Sequence, residues 1–381
     1  MIARWIALLA ALTLLPLAAR AAAPSGPPVE LSAILPLTGN GALIGASQQQ
    51  GLQVLEKQVN DTGGIAGRPL HVSFLDNQSS PQVEVQLFND VAAKGAQVVL
   101  AGAYSAFCKA VMPIAQDKGP VTYCMSPAVR PLRGSMVFSS NIHPVDLSDA
   151  SLRYFAKRNW TKVALLISTD ASGQEVEGGV DGLLAKYPKL HVVAHERFNP
   201  ADTSISAQIS KIEAAHPQAM LIWSGTGIPT AFHGLQDAGS RMPIATSNSL
   251  MLYSAMTQFG PILPKPLFFA APKWAAYPNV GSGPVRDALD AYFKAFKTIG
   301  VKPDMGQDVA WDPGLIIVQA LRTLGPDAKA AQIRDYIENL HGFAGVNGFY
   351  DFRTGDQRGL NPNDTSIVMW DPAKGTWIAA P

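Results

Sequence analysis

Short apolar runs alternate along this chain with segments of helical periodicity, and that alternation limits the possible folds more than any other feature. The runs at 31–37, 71–75, 97–101, 121–125, 163–168, 191–197, 219–224 and 243–246 are bounded by turn residues. Runs of this kind suit strands covered on both faces, as in parallel sheets with helical crossovers. Between them, 46–60, 81–94, 108–118, 148–157, 173–186, 205–216 and 229–238 place apolar residues at helical spacing. Several of these segments stop at a glycine, as at Lys94-Gly95, Lys118-Gly119 and Ala238-Gly239. A strand-helix series starting at Leu31 is matched by one starting at Lys162, which predicts an α/β fold with two lobes of similar architecture, each a doubly wound parallel sheet. After 267–271 come helical patterns at 285–299, 312–324 and 328–340, and a hairpin-rich tail from 345 to 370.

The first 21 residues carry Arg4, an apolar run at 5–17 and then Ala19-Arg20-Ala21, the order of a secretory signal peptide. The run is shorter than the ~20 residues that span a bilayer, and Pro16 interrupts it. Export without a retained anchor is therefore expected, with the mature chain starting near Ala22. Without Arg4 and Arg20 the 30 basic residues fall to 28 against 29 acidic ones, a balance that argues against nucleic acid or an anionic membrane as partner. Cys108 and Cys124 lie in the exported part, where disulfides persist. They read either as a bridge or as two packed thiols, because spacing alone does not give the Cα separation a bridge needs.

Enzyme signatures are poor. Gly39, Gly41 and Gly45 follow a strand and precede a helix, but their spacing is not that of a dinucleotide-binding turn. Gly225-Thr226-Gly227 is not a nucleophile elbow, and Ser105 with Lys109 has the wrong separation for a serine-lysine pair. His191 and His195 share helical spacing but sit in a strand-like run where no cysteine or carboxylate completes a zinc set, and Asp76 with Asn77 reads as a strand-end turn. No metal or cofactor is implied. A secreted α/β hydrolase remains the second reading, on export and fold class alone.

The constructive signal lies at strand ends, where open α/β sheets bind ligands. The strand at 98–101 runs into Gly102-Ala-Tyr-Ser-Ala-Phe-Cys108 and a helix start, whose free N–H groups favour an anion. The strand at 121–125 runs into Ser126-Pro-Ala-Val-Arg130, which adds a hydroxyl, further N–H groups and a guanidinium. In succession the two segments suggest a carboxylate cradle.

Pro36-Leu-Thr-Gly39, Gly45, Asn60 with Gly63-Gly64-Ile65 and Gly67, Asp76, Ser126-Pro-Ala128, Asp170-Ala-Ser-Gly173 and Gln236-Asp-Ala-Gly239 follow one another in an order that resembles the leucine/isoleucine/valine-type periplasmic binding proteins, solute receptors of a class of ABC importers. The resemblance spans essentially the whole mature chain. It implies two lobes joined by a three-strand hinge with crossings near Ile142, Ala271 and Val346. Lobe one would then hold 29–142 with 273–345, and lobe two 143–272 with 346–381. It further implies a monomer that captures a small molecule by closure and hands it to an inner-membrane permease; a periplasmic sensor role fits equally. Ligand carboxylates are held in such proteins by a Ser/Thr-rich loop after the fourth strand and by the turn after the fifth, and the matching positions here are Tyr104, Ser105, Ala106, Phe107, Ser126, Ala128 and Arg130. The second lobe contributes Ser172, Thr226 and Asn248, and Ile44 supplies an apolar wall. Asn248 carries no negative charge for an ammonium, and Tyr104, Phe107, Trp223, Trp274 and Trp311 are the candidate aromatic walls. Both features point to an organic acid, aliphatic or aromatic, ahead of a free amino acid.

Overall fold

The computed structural model describes residues 23–381, so the expected signal peptide at 1–21 lies outside the described residues. In chain order the elements are β1 (Val29–Leu35), α1 (Ala42–Asp61), β2 (Leu70–Asp76), α2 (Pro81–Ala93), β3 (Val98–Ala101), α3 (Ser105–Ala115), β4 (Val121–Cys124), β5 (Val137–Ser139), α4 (Pro144–Lys157), β6 (Lys162–Ser168), α5 (Ala171–Ala185) and β7 (His191–Phe198). They continue as α6 (Ser206–Ala214), β8 (Ala219–Trp223), α7 (Ile228–Asp237), β9 (Ile244–Thr246), α8 (Tyr253–Gln258), β10 (Leu267–Pro272), α9 (Pro284–Lys297), α10 (Met305–Leu324), α11 (Ala330–Asn339), β11 (His341–Ala344), β12 (Phe349–Asp351), β13 (Thr365–Asp371) and β14 (Thr376–Ala379).

Two large sheets and a two-stranded one, β11-β12, result. The first runs β2-β1-β3-β4-β5 and is parallel throughout; the second runs β14-β13-β10-β9-β8-β6-β7, with β13 antiparallel to both of its neighbours, β10 and β14. Every residue of β3, β4, β8 and β10 is buried, which explains why these strands are apolar without alternation. The helices α1, α10 and α11 pack with the first sheet, and α4 packs against the second. Each expected strand and helix is present.

Some elements depart from the sequence pattern. β5 is a three-residue strand and α8 a six-residue helix, both too short to show a period, and β11 and β14 lie outside the expected tail at 345–370. The helix α10 begins at Met305 rather than Asp312: Pro313 mimics a helix start, but the capping box of Asp304 and Gln307 initiates the helix before it.

The two lobes present equivalent βα turns to the cleft between them. A Cβ on Gly45 would lie 2.1 Å from Pro36 O, and one on Gly173 2.0 Å from Ser168 O. Only glycine lets the first turns of α1 and α5 sit so close to the ends of β1 and β6. This contact accounts for two of the landmark glycines and brings both helix N-termini to the lobe interface.

Buried acids on one face of α10 tie the inter-lobe connections together. Asp308 Oδ2 accepts from Asn141 Nδ2 at 2.8 Å, beside the first connection. Asp312 accepts from the N–H groups of Val346 and Asn347, from Asn347 Nδ2 and from Tyr350 Oη. Asp304 accepts from Tyr253 N at 3.0 Å, on the second-sheet side. Burial raises all three carboxyls, Asp304 to about 7.

The third passage between lobes was expected near Val346, and the structure places it later, between β12 and β13. Gln357 O accepts from Ser139 N, and buried Arg358 donates to Ser139 Oγ and to the carbonyls of Val129, Ser140 and Asn141, so this stretch stays with the first sheet.

Candidate functional site

The C-terminal ends of both sheets face a cavity of about 240 Å³. From the first lobe Ile44, Tyr104, Ser105, Ala106, Phe107, Ser126 and Ala128 line it, and from the second Ser172, Thr226 and Asn248. Arg130 does not. It points away from the lining, 63% exposed, with its Nε 3.0 Å from Glu175 Oε2, so the guanidinium expected in the cradle serves an inter-lobe ion pair instead. Among the aromatic candidates, Trp223 lines the cavity with Tyr104 and Phe107. Trp311 is buried against Tyr292 and Phe296, and Trp274 packs on Trp377, both away from the cleft.

The cradle is built by adjacent strand ends. β3 and β4 are neighbours, so the α3 N-terminus and the Ser126 turn meet, with Ser105 Oγ and Ser126 Oγ 3.0 Å apart and both residues buried. A disulfide between Cys108 and Cys124, Cα atoms 5.8 Å apart, joins α3 to the end of β4 immediately behind this pair. The first-turn N–H groups of α3 point to the same place. Burial pushes the Tyr104 hydroxyl up to about 12, so it stays a neutral donor. Tyr104 and Phe107 pack with tilted rings, centroids 5.7 Å apart, and form an apolar wall beside the hydroxyls.

The second lobe holds an acid, Asp170, that the sequence marks only as a landmark. Asp170 lines the cavity, yet both of its oxygens are engaged. Oδ1 accepts from Ser172 N and Gly173 N at 3.0 and 2.8 Å, capping α5. Oδ2 accepts from Ser224 Oγ at 2.7 Å, Gly225 N at 2.9 Å and Thr226 N at 3.3 Å. Five donors exceed the roughly four lone-pair directions of a carboxylate, so Asp170 fixes two turns and has no acceptor direction left for a hydrogen bond from a ligand ammonium. Its position directly before a predicted helix is the N-cap signal that could have revealed this role. Asn248 is different. It is 4% exposed, and its Nδ2 donates to nothing among the described residues. Trp223 Nε1 donates to Ser172 Oγ at 3.1 Å, which fixes the indole as a wall.

Met305 and Val309 at the start of α10 complete the apolar lining; they were missed because α10 was expected to begin later. The cavity thus offers hydroxyls and helix N–H groups in one lobe and an unpartnered amide donor in the other. Among the described residues Asp170 is the one charged side chain in its lining.

Comparison with known proteins supports this architecture. A profile of the family described as periplasmic binding protein matches residues 28–376. A "Leu/Ile/Val-binding protein homolog 1" of Brucella abortus (strain 2308) is 36% identical over 66 residues, 17% of this chain and 18% of that protein. The matched stretch therefore spans under a fifth of the curated relative. An extracellular ligand-binding receptor from Rhodopseudomonas palustris HaA2 superposes with a TM-score of 0.82 at 20% identity, over 93% of this chain and 100% of that one. The branched-chain amino acid transporter substrate-binding protein of Streptococcus pneumoniae str. Canada MDR_19A, solved with isoleucine, gives a TM-score of 0.72 at 18% identity, over 92% and 98% of the two chains. At these identities the likeness carries the fold.

Proposed function

Because this chain belongs to the periplasmic binding protein family, we propose that it is an exported, monomeric receptor that captures a small organic acid between its lobes and delivers it to an ABC permease. The observation that carries the ligand class is the saturated Asp170 carboxylate opposite the unpartnered Asn248 amide. A carboxylate would seat on the Ser105–Ser126 hydroxyls and the α3 N-terminus, with its remaining acceptors toward Asn248 and its apolar body against Ile44, Tyr104, Phe107 and Trp223. A ligand ammonium would find no free anion in the lining, and an uncompensated buried charge costs a few kcal/mol.

Capture proceeds by closure. The ligand touches both lobes only when they are together, so its differential affinity sets how far the equilibrium moves. The chain passages near Ile142, after Ala271 and between β12 and β13 are the hinge, and the acids of α10 hold its geometry. No step in this scheme breaks a covalent bond, and no histidine or cysteine in the described lining stands beside the serines to activate them.

The names of the Brucella relative and the Streptococcus neighbour favour a second reading, a branched-chain amino acid. Asn248→Asp separates the two. If the ligand is an organic acid, the new carboxylate weakens its binding at least tenfold and does so less, or not at all, for leucine. If the ligand is an amino acid, wild-type protein binds leucine tightly and the substitution leaves or improves that affinity.

A further inference from the structure

A second cavity lies on the other side of the segment that opens α10. Met305 lines the cleft, whereas Lys302 and Pro303, three and two residues earlier, line a groove of about 740 Å³. The groove is made by both lobes: Lys294 and Lys297 come from α9, while Tyr253 precedes β10 and Trp377 belongs to β14, the edge strand of the second sheet. Asp304 lies between the two cavities and receives the N–H of Tyr253 at 3.0 Å, so one hydrogen bond joins their shared wall.

The groove has an aromatic floor and a cationic rim. Tyr277 and Phe293 stack at 4.1 Å with their planes 12° apart, and Tyr253 lies 4.5 Å from Trp377. Lys302 Nζ stands 5.7 Å above the Tyr253 ring. Unlike Lys109, Lys186 and Lys211, none of Lys294, Lys297 and Lys302 meets a carboxylate among the described residues. The lining's acid, Asp290, is already engaged by Arg286 Nε and Tyr277 Oη, each at 2.9 Å. Trp377 is 7% exposed, and its Nε1 has no partner among the described residues. Favourable placement at a helix C-terminus accounts for Lys294 and Lys297 on the last turn of α9. It does not account for Lys302, for the stacked rings or for the buried indole N–H.

We propose that this groove is a second ligand site, for a flat organic anion whose ring lies on the aromatic floor and whose acid group meets Lys297 and Lys302. Ring stacking and a cationic rim together select charge and flatness. The site is independent of what the cleft binds.

Anilinonaphthalene sulfonate, a flat fluorescent anion, and its uncharged analogue phenylnaphthylamine are the probes, titrated into the mature protein and read by dye fluorescence. The proposal expects saturable sulfonate binding, tighter than that of the uncharged dye, weakened at least tenfold in Lys297→Gln/Lys302→Gln and retained in the cleft variant Tyr104→Ala. Equal binding in the lysine variant, loss in Tyr104→Ala instead, or no preference for the sulfonate overturns it. Because the rim lysines are exposed, their replacement leaves the fold intact, and a wild-type melting curve for the variant verifies this.

Discussion

Replacing Glu175 with glutamine tests how closure is held. Glu175 stands near the start of α5, and its carboxylate receives Lys109 Nζ from α3 at 3.1 Å and Arg130 Nε at 3.0 Å, both from the opposite lobe. His143 Nε2 lies 3.6 Å from the same carboxylate. Burial first, then the charges of Arg358, Arg130 and Lys109, drive the His143 pKa down to about 2, so it is neutral and adds no charge to the latch. The side chains of Lys109 and Arg130 are 39% and 63% exposed, so solvent screens both pairs. Each then contributes about 0.2–1 kcal/mol, and the two together about 0.4–2 kcal/mol, roughly a two- to thirty-fold change in affinity. The pairs act only while the lobes are together, so the loss falls mainly on release. Calorimetric titration with the tightest carboxylate from a melting screen reads it, and high salt should shrink the difference. Glu177→Gln is the control: its partners His195 and Arg197 sit on β7 of the same lobe, so its loss leaves closure untouched. Unchanged affinity in Glu175→Gln, or equal losses in the two variants, would refute the latch.

Three further outcomes are expected. Thiol titration under denaturing, non-reducing conditions should find neither Cys108 nor Cys124 free, and Cys108→Ser should lower stability by up to about 3 kcal/mol, the chain-entropy value for so short a loop. Two reactive thiols would contradict this. Ser126→Ala and Tyr104→Ala should each weaken carboxylate binding by about 1–3 kcal/mol, as expected when a buried partner is left unsatisfied, with cooperative melting retained; wild-type affinity in both would remove them from the site. Asp304 has a folded pKa raised from 3.8 to about 7, so the folded state holds its proton more tightly than the unfolded chain. Stability should therefore fall as pH rises between about 4 and 7, and Asp304→Asn should flatten that slope; an unchanged slope in denaturant midpoints would show that the carboxyl does not titrate there.

The fold was legible because burial on both faces writes itself into sequence as unbroken apolar runs, and β3, β4 and β8 are such runs. Glycines were legible as landmarks, but the reason for Gly45 and Gly173, contact with a carbonyl one turn away in space, needed coordinates. Residues of the cradle could be placed from strand ends alone because β3 and β4 are neighbours in both sequence and space. Arg130 failed for the opposite reason. Its partner Glu175 is far away in sequence, and nothing local tells a ligand-binding guanidinium from a bridging one. Asp304, Asp308 and Asp312 recur every four residues within an apolar helix, a visible sign of a buried polar face, but Pro313 hid the helix that carries them. Asp170 was visible as a cap, whereas the saturation of its second oxygen by the turn after β8 depended on the order of strands in the sheet.

The central claim is that the cleft selects a carboxylate without an ammonium, and a matched pair tests it most directly. Isocaproate is leucine without the amino group, so calorimetric titration of both against the mature protein isolates that single difference. The account predicts that isocaproate binds at least tenfold tighter than leucine, and that the gap narrows in Asn248→Asp. Leucine binding as tightly as isocaproate or tighter, with Ser126→Ala and Tyr104→Ala leaving it unchanged, would contradict both the ligand class and the site.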